Sequence, residues 1–310
     1  MPRPFLRLPN VATFALLPGL CATACAPSAD DQETLATVPK LVSVDWLADH
    51  IGDAALVLIH VGDRAEYDEG HIVGARYLDQ ATVLMTSARG LHNELPPVAH
   101  LDSVFEDLGV SDNSHVVVYH GDGFLSMATR TFFTLDYLGL GDRTSILNGG
   151  LEAWIANARP LTTEASNVTP GSITTAVRPE IVTFADWLNA RLESPGVAIF
   201  DARGPASFSG ERAGSYPRPG HIAGAFNLPY SSLLAEGTSL FVNADSLQTI
   251  FADAGAPAGD SVVGYCGTGM AGSAIYFVSR YLGYESKLYD AAFEEWSARA
   301  DLPVEPGDQH

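Results

Sequence analysis

The segment Tyr265-Cys266-Gly267-Thr268-Gly269-Met270-Ala271 carries the only cysteine of the chain other than Cys21 and Cys25 near the N-terminus. It follows a short apolar run, residues 261–265, and precedes a helix-like stretch, residues 270–282, so it reads as a strand-to-helix turn. Gly267 and Gly269 let the backbone fold closely around the sulfur. A thiol at a helix start faces unpaired N–H groups and the positive end of the helix dipole, which favour thiolate and make Cys266 a candidate nucleophile. Taken alone, an inert buried cysteine is an equally good reading, because free cysteine is among the most buried residue types.

The elements that must position this loop occur twice. Ser261-Val262-Val263-Gly264-Tyr265-Cys266 echoes Ser114-His115-Val116-Val117-Val118-Tyr119-His120, and Tyr281-Leu282-Gly283 echoes Tyr137-Leu138-Gly139. Asp186-Trp187-Leu188 repeats Asp45-Trp46-Leu47; Gly220-His221-Ile222-Ala223-Gly224-Ala225 repeats Gly70-His71-Ile72-Val73-Gly74-Ala75; Glu295-Trp296 answers Glu152-Ala153-Trp154. An ordered series of this kind indicates one duplication into two domains of about 125 residues each, an ordinary domain size. Strand candidates at 55–61, 116–119, 197–201 and 261–265 alternate with helix candidates at 126–138, 152–158, 247–254 and 270–282. That alternation predicts an α/β fold with mostly parallel sheets and helices on both faces. Residues 162–179, polar and turn-rich, read as a linker between a first domain at 40–161 and a second at 180–310.

The order of these motifs resembles that of the tandem rhodanese-type sulfurtransferases over nearly all of residues 40–305. Asp201-Ala202-Arg203, the two Gly-His-Ile turns, the cysteine loop and Leu288-Tyr289-Asp290 with Glu295-Trp296 carry the resemblance. It implies two rhodanese-like domains, the first inactive with His120 in the place of the cysteine and the second catalytic. Cys266 would take a sulfane sulfur from thiosulfate or 3-mercaptopyruvate and pass the persulfide sulfur to a thiophilic acceptor, cyanide or a thiol. The backbone N–H groups of Gly267, Thr268, Gly269, Met270 and Ala271 would form the persulfide cradle, with no cofactor or metal. The related cradle of tyrosine phosphatases needs an arginine six positions after the cysteine. Here that position is Gly272, which argues against phosphatase chemistry.

The loop holds no basic residue, so the donor's anionic group would fall to Arg203, Arg212 and Arg218. In the mercaptopyruvate enzymes an arginine stands where this chain has Ser207. The resemblance also implies a relay from the first domain, Asp63 and His71, to the Thr268 hydroxyl; the alternative is that the histidines of both Gly-His-Ile turns bond their own turns. Arg203 has an alternative too, as the partner of a neighbouring carboxylate at the sheet edge. Trp154 and Trp296 read as core anchors. A persulfide carrier fed by a protein partner is the rival to an enzyme turning over small donors.

Residues 1–24 read as a lipoprotein-like export signal: Arg3 and Arg7, an apolar stretch at 11–20 too short to span a bilayer, then Ala22-Thr23-Ala24 before Cys25. Cys25 would carry the lipid, and residues 25–39 would be the tether from the bacterial cell envelope; ordinary signal cleavage near Ala24 or Ala26 is the alternative. A periplasmic protein is expected, in contact with membrane only through that anchor. With 37 acidic against 17 basic residues and a net charge of −20, binding to nucleic acid is excluded on electrostatic grounds.

Overall fold

The computed structural model describes Met1 and residues 38–307, apart from 193 and 258; the export segment and Cys25 lie outside the described residues. In the first half the strands are β1 (Leu41–Val42), β2 (Leu56–Val61), β3 (Arg76–Tyr77), β4 (His115–His120) and β5 (Thr144–Leu147), ordered β1-β5-β4-β2-β3. The helices are α1 (Val44–His50), α2 (Arg64–Glu69), α3 (Val98–Asp107), α4 (Leu125–Tyr137) and α5 (Gly150–Ala156). The second half repeats the plan. Strands β6 (Val182–Thr183), β7 (Val197–Asp201), β8 (His221–Ile222), β9 (Phe226–Asn227), β10 (Ser261–Tyr265) and β11 (Glu285–Tyr289) alternate with α6 (Ala185–Asn189), α7 (Pro205–Phe208), α8 (Ala244–Asp253), α9 (Gly272–Leu282) and α10 (Ala292–Ala298). Its sheet order, β6-β11-β10-β7-β9, is the first order restated, and both sheets are parallel throughout.

Because both faces of each sheet are covered, the central strands are almost wholly apolar, as parallel strands must be. Alternate residues feed different cores. Val57, Ile59, Val61, Val116 and Val118 face inward with Ala198, Phe200 and Val262 of the other half, in one core shared by both. Leu58, Val117 and Tyr119 face an outer core with α1 and α5, and Ile199, Val263 and Tyr265 face the matching one with α6 and α10. Across the shared core α4 meets α9, with Phe132 against Phe277 at 4.9 Å and Phe133 against Tyr276 at 5.0 Å, both edge to face.

Two buried carboxylates tie the halves together. Asp136 of α4 accepts from Tyr276 (2.6 Å) and Arg280 (2.9 Å) of α9 and pairs with Arg178. Asp290, after β11, pairs with the fully buried Arg130 of α4. Residues 163–178 form no helix or strand, yet they are pinned to the first half by Gly171 N–H to the Glu106 carbonyl (2.8 Å) and Ala176 N–H to the Leu138 carbonyl (3.2 Å). Trp154 and Trp296 are buried anchors with matching bonds, Nε1–H to the carbonyls of Pro160 (2.9 Å) and Pro303 (2.8 Å).

Candidate active site at the Cys266 loop

β10 ends at Tyr265 and α9 begins only at Gly272, so the whole loop 266–271 stays outside the helix and wraps the sulfur. Cys266 is 4% exposed, and the amides of Gly272, Thr268 and Ala271 hydrogen-bond its sulfur. Gly272 thus belongs to the cradle beyond the expected residues. A Cβ at Gly272 would come 2.8 Å from the Tyr265 carbonyl carbon, so the position that holds arginine in phosphatases has no room here for any side chain. Gly269 turns at φ +80°, and a Cβ there would meet the Asp290 carbonyl oxygen at 2.7 Å. From outside, the start of α10 holds the loop: Phe293 and Glu294 N–H groups donate to the carbonyls of Cys266 and Gly267, each at 3.0 Å. Met270 supplies its carbonyl to the Ser273 hydroxyl (2.6 Å), an anchor for α9.

The tertiary structure sets burial against the thiolate that the helix start favours. Burial pushes the Cys266 thiol up, the Asp201 carboxylate adds to the rise, and the three amides only partly offset it.

The anion clamp also differs from expectation. Arg203 is paired with Asp201, Nη2 to Oδ2 at 2.5 Å and Nε to Oδ1 at 2.9 Å, and its Nη2 also donates to the Gly220 carbonyl at 2.8 Å. It holds the sheet edge, and its guanidinium stacks 4.1 Å from the Phe293 ring. Arg218 donates to the carbonyls of Trp296, Ser297, Arg299 and Leu302, closing the C-terminal end of α10. Neither is free to bind a donor. Arg212 is exposed, and its guanidinium has no partner among the described residues.

The relay of Asp63, His71 and Thr268 does not form. Asp63 caps α2, accepting from Ala65 N–H at 2.8 Å. His71 lies stacked on Tyr67, its Nδ1 2.8 Å from the Tyr67 carbonyl and its Nε2 3.2 Å from the Glu164 carbonyl. His221 bonds its own turn at the Phe208 carbonyl, 3.0 Å away. The first half reaches the loop through Asn93 instead, whose Nδ2–H donates to Thr268 Oγ1 at 2.9 Å. Around it, Leu95 N–H donates to Asp290 Oδ2 (3.0 Å), His92 meets Glu294 (2.6 Å), and Arg89 pairs with Glu295. Only the φ-tolerant asparagine in Leu91-His92-Asn93-Glu94, here at φ 60°, hinted in sequence at a special turn.

In the first half the matching loop is closed. His120 is buried in place of the cysteine with Nδ1 2.8 Å from the Gly121 carbonyl, and both oxygens of Glu66 accept from Asp122 N–H at 3.2 and 3.3 Å.

The rhodanese-like domain model matches residues 43–157 and again 184–299. The chain belongs to the rhodanese family. Over 281 residues it is 35% identical to the 3-mercaptopyruvate sulfurtransferase of Escherichia coli K12, covering 86% of this chain and 97% of that protein. Over 271 residues it is 31% identical to the thiosulfate sulfurtransferase of Pseudomonas aeruginosa, with 86% and 97% covered. A crystal structure of a 3-mercaptopyruvate sulfotransferase of Escherichia coli superposes with a TM-score of 0.70 at 30% identity, covering 82% of this chain and 99% of that one. As in other rhodaneses the sheets are parallel, with helices on both faces.

Proposed function

We propose that this rhodanese is a sulfurtransferase working through a Cys266 persulfide. The observation that carries the reading is a lone cysteine at the end of a parallel strand with the amides of Thr268, Ala271 and Gly272 aimed at its sulfur. Such donors stabilise negative charge on the sulfur as it attacks and, afterwards, on the terminal persulfide sulfur. In the first step the Cys266 thiolate attacks the sulfane sulfur of thiosulfate or the thiol sulfur of 3-mercaptopyruvate. The new S–S bond forms as the donor's bond to that sulfur breaks, and the electron pair leaves with sulfite or the enolate of pyruvate. In the second step a thiol or cyanide takes the outer sulfur and the thiolate is restored.

A second reading is a persulfide carrier loaded by a partner protein. It is favoured by the commitment of Arg203 and Arg218 to structural bonds, which leaves neither of them free for a small anionic donor. Thiocyanate release from cyanide, measured with each donor beside a Cys266→Ser variant, separates the two. Turnover that vanishes in the variant is the expected result; a folded protein inert to both donors moves the assignment to the carrier.

For location, the proposal is export and lipid attachment at Cys25, supported by the charged, apolar and small-residue order of residues 1–24. Mass spectrometry of the mature N-terminus tests it: a diacylated Cys25 is expected, and an unmodified N-terminus at Ala26 rejects the anchor.

A further inference from the structure

The two halves place a polar side chain over the same point of their loops. Asp63 and Gly204 are the N-caps of α2 and α7, so Glu66 and Ser207, each three residues on, occupy equivalent positions. In the first half a Cβ at Gly121 would overlap the Glu66 carboxylate, which accepts from the loop amide of Asp122. In the second half Ser207 is too short to reach. A Cβ at the equivalent glycine, Gly267, would instead overlap the hydroxyl of Tyr216. The inactive loop is thus covered by a hydrogen-bond acceptor of its own, whereas the cysteine loop is covered by a donor.

Tyr216 is held in that place by its ring. It packs near-perpendicular to Phe293 at 5.2 Å, and the Arg203 guanidinium lies 5.7 Å from its centroid. The residue is half-buried, yet its hydroxyl bonds to no other described residue. Burial first, and then Cys266 whenever it is a thiolate, push the phenol above its ordinary range, so it keeps its proton at neutral pH. An unspent donor beside the nucleophile fits one task.

We propose that Tyr216 is a catalytic residue of the sulfur transfer, its phenol O–H donating a hydrogen bond to the donor oxygen that gains negative charge as the bond to the transferred sulfur breaks. That oxygen belongs to the departing sulfite, or to the enolate left by 3-mercaptopyruvate, which then takes a solvent proton to become pyruvate. Tyr216 stays protonated throughout, so the electron count of the step is unchanged. Donors carrying such an oxygen next to the breaking bond are favoured over inorganic polysulfide, which has none.

This rests on the sulfurtransferase reading, and the test separates the two. In the intact protein, Tyr216→Phe removes only the hydroxyl. Single-turnover persulfide formation from thiosulfate and from 3-mercaptopyruvate is expected to slow by about tenfold or more. Alkylation of Cys266 by iodoacetamide, and loading by polysulfide, are expected to stay within about twofold of wild type, since the cradle amides are untouched. Equal single-turnover rates in the variant and wild type overturn the role of Tyr216 alone. A loss shared by alkylation and polysulfide loading also overturns it, because it assigns the effect to loop structure. A wild-type protein that loads from neither oxygen-bearing donor overturns the sulfurtransferase reading together with this one.

Discussion

Cys266 shows that a helix start does not by itself make a thiolate. Three amides pull the proton off, but nearly complete burial opposes them and prevails. A neutral thiol becomes the nucleophile only above its pKa, so a raised pKa moves reactivity to alkaline pH. The alkylation rate of Cys266, followed on its own peptide by mass spectrometry, is therefore expected to keep climbing past pH 9.0, the ordinary thiol value. A plateau below about pH 8 would show that the amides outweigh burial. Asn93 has a directional consequence. Because its amide donates to Thr268 Oγ1, that hydroxyl's own hydrogen is left free for another acceptor.

Among the elements, β2 and β7 diverge at one register position. His60 pairs with Tyr119 across β4 as Asp201 pairs with Tyr265 across β10. The second half fills the place with an ion pair, Asp201 and Arg203; the first has His60, with both ring nitrogens buried and unpartnered among the described residues. Burial, with His71 and His120 nearby, lowers its pKa from 6.5 to about 4. The folded state therefore resists a proton that the unfolded chain accepts. Stability is complete above pH 6.5 and falls as pH drops towards 4, by about 3 kcal/mol once both states are protonated. His60→Leu is expected to raise the melting temperature more at pH 5 than at pH 7.5, and an equal change at both would assign the effect to packing alone.

At the scale of the whole molecule, the halves are not independent beads. They share an apolar core, and Asp136 and Asp290 are each bonded across the junction. Calorimetry is expected to show one cooperative transition. Arg130→Met, which strands the buried Asp290 carboxylate, should cost about 3–5 kcal/mol; two separate transitions in the wild type would contradict the shared core. The net charge of −20 repels anionic donors at long range. Added salt screens that repulsion, so KM for thiosulfate should fall as ionic strength rises from low values, and a rise would place attractive charge at the mouth of the site.

The sequence alone determined the duplication, the parallel α/β plan and the loop that bears the nucleophile, because each is written in local periodicity and in motifs repeated at matching positions. Strands 197–201 and 261–265 fell where β7 and β10 lie, and the 270–282 helix needed only a two-residue trim at Gly272. Short edge strands such as β1 and β9, and helices of a few residues such as α7, carry too little periodic pattern to be read. The roles of the arginines were decided by tertiary structure alone. Arg203 and Arg218 look available in sequence, but each meets acceptors that the fold brings to it, Asp201 with Gly220 for one and the end of α10 for the other. Asn93 and Tyr216 reach the loop across long stretches of chain, and no local pattern encodes which side chain will arrive there. Periodicity records which face of an element is buried; only packing fixes what that face, or a loop beside it, touches.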